Sequence, residues 1–489
     1  MSMHIALASF ALNWNPDWIA FNPESYSIAI HLFTRLLGAI YVIAYVPFLF
    51  QIQGLFGKEG ILPIAEHLSS AKFSCGKKRY YYIPSLFWIN ASDTALFALV
   101  WSGIFLGILL MFGVYPPVVL LLLYLIHLSL TSAGQDFLSF GWETFLMELT
   151  IAAFLIISTA PLNFFGWLGL NFLLFRFHVE AGASKLLSRD KNWRNLTAIA
   201  YHYLSQPLPN TTAWYFHKLP LWFHKLSTLL MFFVELVVPF TLFSPPEVRL
   251  VIFVLFVGLQ YSIWFTGNLS YLNYITVACC VILLHNNYLE PFFALPPIEA
   301  PSPLLWQFLM GCLGFAFLAL QVMAFYRTVS RSSLFYSILR TVQPFHLATP
   351  HGIFAVMTTK RYEIVIEGSA DGLEWKEYQF YYKAGELSER PKRVAPYQPR
   401  LDWQVWFLPF TNFESEPWFQ KFLVKLLQGS KPVLKLLKVN PFPDKPPQFI
   451  RVLFYDYEFT TSDEKKQTGN WWKRRLIGDY APTIYLRPK

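Results

Sequence analysis

Charged side chains inside long apolar runs are the first candidates for chemistry in this sequence. Arg35 lies near the middle of one such run, four residues after His31, so the two share a helix face. The other charges in apolar runs are Glu148, Arg176, Glu180, Lys185 and Glu235. A charge at membrane depth is costly, so each is expected to be paired or functional.

Two interpretations of these charges stay open. In the first, they form buried ion pairs that hold helices in register, namely Arg35 with Glu148 or Glu235, and Arg176 with Glu180. In the second, they converge on one functional site. Lys185 lies near the end of its run, and its spacing alone predicts that it snorkels to the headgroups.

A loop rich in aromatic residues and histidine, Trp193–His224, is a second candidate. His202 and His217 are too far apart in sequence for a compact metal motif, so we expect no metal ion. Tryptophan and tyrosine residues such as Tyr201 favour the headgroup layer, which predicts an interfacial segment. The tract that begins at Gln206 (QPLPN) favours an extended or turn backbone.

Four polar or aromatic residues flank a short loop after the third apolar run: Gln135, Asp136, Trp142 and Glu143. They could bind a ligand group at the membrane face. They could equally cap the helix that starts near Glu143, where an acid is favoured, and this interpretation is physically simpler.

Motifs for cofactor chemistry are missing from the sequence. It contains no nucleotide-binding loop, no GxSxG elbow and no zinc-protease helix. The four cysteines have neither CxxC nor zinc-type spacing, and three of them lie in apolar runs. We therefore expect no cofactor and no cysteine-based redox site.

The composition indicates which elements position these residues. The chain is 55% hydrophobic and 14% charged, whereas soluble domains are about 25% charged. Charges are sparse before Arg327 and dense after Lys360. This predicts a polytopic α-helical membrane bundle over residues 1–343, followed by a water-facing, β-rich α+β domain over residues 344–489. The net charge of +9 is concentrated in loops, where lipid headgroups account for it better than nucleic acid.

About nine runs are candidate membrane spans, which need about 20 mostly apolar residues. They are Ser27–Phe50, Thr94–Phe112, Val118–Leu130, Phe145–Ala160, Phe164–Leu187, Leu226–Phe243, Arg249–Thr266, Tyr271–His285 and Leu304–Tyr326. The two long basic loops, Gln51–Ser92 and Leu187–Lys225, follow spans one and five. Residues Met1–Trp14 lack the features of a secretory signal peptide.

The C-terminal third shows strand patterns. Tyr362–Glu367 alternates as a half-buried strand should, and a turn at Ser369–Gly372 leads to a second strand candidate, Trp375–Lys383. The two predict a hairpin. Phe419–Leu427 has helical spacing, and Phe449–Thr460 alternates again.

Several long segments resemble the lipase maturation factor family over nearly the whole chain. The matching segments are Arg35–Pro63, Gly134–Thr150, Arg176–Lys225, Phe233–Phe240, Thr266–Thr276, Val394–Phe407, Asn440–Pro447 and Thr468–Tyr480. The candidate functional residues in them include, besides those above, Trp193, Asn268, Asn273, Arg400, Asp402, Trp403, Asp444, Trp471 and Trp472.

The resemblance implies a membrane protein that helps certain dimeric secreted lipases fold and assemble, with a C-terminal domain needed for that function. It implies the endoplasmic reticulum membrane in a eukaryote, and a bacterial origin would place the chain in the cytoplasmic membrane. The partners are then membrane lipid and a client protein, and no catalysis is involved. The family favours a non-cytosolic C-terminal domain, whereas nine spans and the positive-inside rule favour a cytosolic one.

A second, more distant resemblance gives the alternative. The segment Ala181–Trp193 (AGASKLLSRDKNW) is similar to a segment of vitamin K-dependent γ-carboxylase, in which the lysine acts as a base. By position that lysine is Lys185. The chain would then be a membrane enzyme in which Arg35, Arg176, His202 and Glu235 line a cavity around it.

Overall fold

The computed structural model describes residues 22–297 and 300–486, so Met1–Trp14 lies outside the described part. The helices of the first half are α1 (Ser27–Tyr45), α2 (Phe48–Phe56), α3 (Ile64–Cys75), α4 (Arg79–Tyr82), α5 (Asp93–Met111), α6 (Pro116–Ala133), α7 (Gly141–Ile157), α8 (Phe164–Leu187), α9 (Lys191–Arg194), α10 (Ala198–Ser205) and α11 (Thr211–Phe216). Then follow α12 (Leu221–Leu236), α13 (Pro246–Thr266), α14 (Leu272–Cys280), α15 (Asn286–Leu289), α16 (Leu304–Ser330) and α17 (Tyr336–Val342).

Contacts at the two ends of the bundle establish its connectivity. At one end Glu24 accepts from the backbone N–H of Leu162 and from Asn286; we call this the N-terminal side. At the other end, the C-terminal side, the Arg331 guanidinium donates to the carbonyl of Leu187. In the described residues α1, α5, α6, α7, α8, α12, α13, α14 and α16 alternate between these sides, which is roughly consistent with the predicted nine spans.

Six of the helical segments are long and apolar enough to cross a bilayer: Pro23–Tyr45, Asp93–Met111, Pro116–Ala133, Leu221–Thr241, Pro246–Thr266 and Leu304–Ser330. The other three passes are buried more deeply. Helices α7 and α14 have 17 and 9 residues, and α8 carries three charges. Helices shielded from lipid by their neighbours can be shorter or more polar, because protein partners satisfy their polar groups.

The C-terminal region begins after α17 and contains a four-stranded antiparallel sheet of order β2-β1-β3-β4. Its strands are β1 (Arg361–Ser369), β2 (Lys376–Glu377), β3 (Phe449–Phe459) and β4 (Trp472–Tyr485). Its helices are α18 (Arg400–Val405), α19 (Pro417–Leu427), α20 (Lys431–Leu434) and α21 (Ser462–Thr468). An α+β region after a helical bundle is the predicted fold class.

Some strands of the sheet lie where the sequence patterns predicted them, and others do not. β1, β3 and α19 lie where predicted, and β1 and β2 form the expected hairpin. The second strand is shorter than the predicted Trp375–Lys383, because after Glu377 only Gln379 pairs again, with Val439. β4 was not predicted. Three register irregularities opposite Ile450–Tyr455 interrupt its alternation, so its sequence lacks the period of a strand.

Glycines bring α1 and α5 into close contact. Gly38 packs against the backbone of Gly107, and Gly103 lies directly against the ring of Tyr45. Small residues let membrane helices approach closely, and dispersion contacts then stabilise the pair.

We expect Gly103→Ala to lower the free energy of unfolding by about 1–3 kcal/mol, because the added methyl group overlaps the Tyr45 ring. Gly258→Ala is the matched control, since a Cβ at Gly258 meets open space. There alanine should be neutral or stabilising, through its higher helix propensity. Thermal unfolding in detergent compares the two variants; equal shifts would contradict the packing argument.

Candidate functional site

The candidate residues gather at the C-terminal side of the bundle, where residues 349–400 pack onto it. The Glu143 carboxylate, on α7, is fully buried there. Its Oε1 lies 2.6 Å from Nη2 of Arg400, and its Oε2 accepts from the Tyr271 hydroxyl at 2.7 Å. Nε2 of His127 lies 3.2 Å from Oε2. Glu143 lies in the first turn of α7, where an acid was predicted, and its carboxylate also forms an ion pair between α7 and α18.

Arg400 is held from several directions. Its Nη1 donates to the carbonyl of Phe137 at 2.8 Å, and its guanidinium lies 4.3 Å from the centre of the Phe48 ring. The Gln51 amide accepts from the backbone N–H of Arg400 and donates to the carbonyl of Gln398, both at 2.8 Å. These contacts explain how a fully buried arginine is tolerated, since its charge is paired and hydrogen-bonded.

A second buried cluster surrounds Glu148. Its Oε2 lies 2.5 Å from Nη2 of Arg176, and its Oε1 accepts from the backbone N–H of Thr349 at 2.7 Å. Nη2 of Arg176 also lies 2.9 Å from Nε2 of His351. Glu180 accepts from the His351 backbone N–H at 2.7 Å. The predicted Arg176–Glu180 pair is thus wrong, because Glu148 reaches Arg176 from α7 while Glu180 holds the incoming backbone.

Lys185 and Glu235 form the third pair, between α8 and α12. Lys185 Nζ donates to both carboxylate oxygens, at 2.9 and 2.8 Å, and to the carbonyl of Ala181 at 3.1 Å. Trp193 lies beside it, with Nζ 5.5 Å from the ring centre. Lys185 is 4% exposed, so the snorkelling interpretation is wrong.

Arg35 does not join any of these clusters. It is exposed on α1, near Gly113, and within the described residues no carboxylate lies within the 4.0 Å salt-bridge distance of it. The predicted pairing with Glu148 or Glu235 is wrong, because Arg176 and Lys185 satisfy those acids. Arg35 therefore does not line a common cavity with Lys185.

Loops on the C-terminal side complete the attachment through backbone groups. The Asn268 amide donates to the carbonyls of Leu208 and Lys392, and its oxygen accepts from the backbone N–H groups of Val394 and Ala395. Gln206 donates to the carbonyl of Thr266 at 2.9 Å. A single side chain in each loop thus orders two or three chain segments.

Arg361, at the start of β1, binds the same loops. It donates to the carbonyls of Leu204, Gln206 and Pro207 at 3.0, 2.6 and 3.0 Å. Glu363 lies 2.5 Å from its guanidinium and 2.9 Å from Lys383 Nζ. The predicted interfacial loop is therefore partly an attachment site for the sheet.

The remaining predicted residues lie apart from the three buried clusters and from one another. His202 is half-buried beside Phe354, and its desolvation lowers its pKa to about 4, with the Lys185 charge as a smaller cause. Nδ1 of His217 donates to the carbonyl of Ala200. Burial raises the pKa of Asp136, in the loop before α7. Gln135 donates to the carbonyl of Leu62, and Asn273 donates to the side chain of Gln260. Tyr201 is exposed.

Aromatic residues of the C-terminal region mostly pack inward. Trp403 lies edge-on to Trp142, and Trp472 is 3% exposed against Phe459. Trp471 is partly buried against Trp214. Only Asp444 is exposed among the predicted residues of this region. The tryptophans are therefore largely core residues rather than a surface for a partner.

Sequence reasoning missed several members of the clusters. They are Gln51, His127, Tyr271, Thr349, His351, Arg361, Glu363 and Lys383. For Gln51 and His127 a usable signal existed, because each is a polar residue inside or beside an apolar run. The others lie in ordinary polar sequence, and no local pattern distinguishes them.

We expect Arg400→Leu to lower the free energy of unfolding by about 3–5 kcal/mol, because it leaves the buried Glu143 charge unpaired. Glu143→Leu should have a similar cost. The double variant should lose clearly less than the sum of the two. Denaturant unfolding in detergent measures all three, and strict additivity would show that the pair is not coupled.

Asp402 provides a pH test outside the membrane spans. Burial raises its pKa to about 6, although the backbone N–H groups of Tyr382 and Lys383 donate to it. A raised carboxyl pKa means that ionised Asp402 destabilises the fold above about pH 6, and that this cost is relieved as the pH falls towards 4. Relative to Asp402→Asn, the wild type should gain up to about 3 kcal/mol between pH 7 and pH 4. A difference that does not vary with pH would contradict the assignment.

The comparisons with known proteins agree with this architecture. Residues 28–291 match a family model described as the lipase maturation factor transmembrane domain, and residues 347–482 match the lipase maturation factor C-terminal domain. No solved structure matches the chain.

Curated relatives match over nearly the whole chain. Lipase maturation factor 1 of Mus musculus is 32% identical over 92% of this chain and 86% of its own length. Lipase maturation factor 2 of Xenopus laevis is 31% identical, over 92% and 81%. The Homo sapiens protein of that name is 29% identical, over 93% and 82%. With both of its parts matched, the chain belongs to the lipase maturation factor family.

Proposed function

We propose that this protein is a membrane-embedded maturation factor that assists the folding or assembly of a secreted, lipase-like partner and carries no catalytic chemistry of its own. The observation that supports this most directly is the match of both parts to relatives that are named for lipase maturation. The family also supports the endoplasmic reticulum membrane as its location, where secreted proteins fold.

The geometry supports a binding platform. Buried ion pairs and side chain–backbone hydrogen bonds fix residues 349–400 to the bundle at many points. A partner that docks on the C-terminal region would therefore meet a surface of fixed orientation relative to the membrane. Pre-organisation of this kind lowers the entropic cost of binding.

Exposed apolar side chains of the C-terminal region give that platform contact area. They include Leu373, Tyr381, Phe407, Phe410, Leu476 and Ile477. Because the region lies beyond the lipid-facing helices, these side chains are candidates for protein contact rather than lipid contact. They take the place of the tryptophans that the sequence suggested.

The enzyme alternative has weaker support. A catalytic base must be free to accept a proton from substrate. Lys185 instead donates to both Glu235 oxygens and to a backbone carbonyl, and Arg35 lies on an exposed face of α1. The Lys185–Glu235 pair serves as a link between α8 and α12.

The test is rescue of lipase secretion in animal cells from which their own lipase maturation factors have been deleted. The probe is a co-expressed secreted dimeric lipase, and the readout is lipase activity in the medium per unit of lipase synthesised. We expect the wild-type chain to restore most of this activity. No rescue at normal abundance in the membrane would contradict the proposal.

The double variant Lys185→Met with Glu235→Leu is the matched control for the enzyme alternative, because it removes the lysine without stranding an acid. A maturation factor should keep at least about half of its rescue activity at equal abundance. Complete loss at equal abundance would instead support the use of Lys185 as a base.

A further inference from the structure

A basic, aromatic surface occupies one flank of the bundle at its C-terminal side. Two segments form it: residues 72–89, which contain the end of α3 and all of α4, and residues 331–345, which contain α17. Its basic residues are Lys72, Lys77, Lys78, Arg79, Arg331 and Arg340. In the described part of the chain none of them has a carboxylate within 4.0 Å.

The two segments touch each other. The Tyr81 hydroxyl donates to the carbonyl of Thr341 at 2.6 Å, and its ring lies 5.9 Å from that of Phe345. Phe345 in turn accepts, through its carbonyl, from the Tyr124 hydroxyl of α6. The surface is therefore continuous and is attached to the lipid-crossing helices.

Its depth is fixed by α6. The hydroxyl of Ser85 donates to the carbonyl of Ser129, and the hydroxyl of Ser129 accepts from the backbone N–H of Leu86, both at 3.0 Å. Leu125, one turn earlier on α6, is exposed, as a lipid-facing residue is. One helical turn rises about 5.4 Å, so this segment lies about one turn from a lipid-facing position of α6.

Large apolar side chains accompany the charges. Phe73 is 95% exposed and Ile89 is 87% exposed, and Tyr80, Tyr82 and Tyr336 are also exposed. In water this many exposed aromatic residues would be costly, whereas the headgroup layer favours aromatic rings and basic side chains together.

We propose that this surface binds anionic phospholipid headgroups. The occupant is a lipid that carries a phosphate without a compensating cation, because the unpaired lysine and arginine residues supply donors and charge. An acidic protein is a weaker fit, since the surface adjoins the lipid-facing stripe of α6 rather than the C-terminal sheet. The proposal does not depend on the proposed lipase partner.

The experiment uses the full chain in detergent, with equimolar phosphatidylglycerol and phosphatidylcholine of identical acyl chains. Native mass spectrometry counts each lipid retained. We expect the wild type to retain several-fold more phosphatidylglycerol, and the preference should decrease as salt is added. The variant Lys77→Gln/Lys78→Gln/Arg340→Gln should lose most of it, since one basic residue near an anionic surface contributes about fivefold.

The matched control is Lys431→Gln/Lys435→Gln/Lys445→Gln, which removes three exposed charges from the C-terminal region. It should keep the wild-type preference. If the first variant does not fold, Lys78→Gln alone, compared with Lys445→Gln, tests the same point. The proposal is overturned if the wild type shows no preference or if both triple variants lose it equally. It is also overturned if the first variant keeps the wild-type lipid ratio, and a loss of lipase rescue by that variant would then indicate an acidic protein partner.

Discussion

The shared carboxylate of Glu143 is the constraint on which the arrangement of this molecule depends. A fully buried acid at the end of an apolar helical bundle requires a cation, and the cation is Arg400, 257 residues further along the chain. His127 and Tyr271 occupy the remaining acceptor positions. Because a buried ion pair tolerates little displacement, α18 has one position relative to the bundle, and the rest of the C-terminal region follows it.

The other clusters also attach the C-terminal region to the bundle, through different side chains. Glu148 and Glu180 hold the backbone and imidazole of residues 349–351, Asn268 holds residues 392–395, and Arg361 binds loop carbonyls from the opposite direction. Buried backbone N–H and C=O groups at the end of the bundle need hydrogen-bond partners, and each of these side chains makes several such bonds. The bundle and the C-terminal region are therefore joined by hydrogen bonds that neither could make alone.

The sequence predicted the features that lipid imposes directly. The nine predicted apolar runs are helical, because each helix satisfies its backbone within itself, and six helical segments in the described residues are long and apolar enough to span a bilayer. It could not predict which charges pair. Arg176 and Glu148 are 28 residues apart and Lys185 and Glu235 are 50 apart, so only the packing of three helices decides the partners. The spacing of Arg176 and Glu180 suggested a pair within one helix. Their shared helix face, however, does not reveal which side chains of other segments pack against it. β4 was missed for a related reason, since its irregular pairing with β3 removes the alternation that identifies strands.

The attachment of residues 349–400 to the bundle has a consequence for the synthesis and membrane insertion of the protein. The helices that carry Glu143 and Glu148 enter the membrane long before the ribosome has made Arg400 and His351. Until then these acids lack part of their final coordination, and the half-made bundle remains open at one end. A chain released early would keep that open end permanently. The last third of the chain therefore completes the coordination of acids that were inserted first.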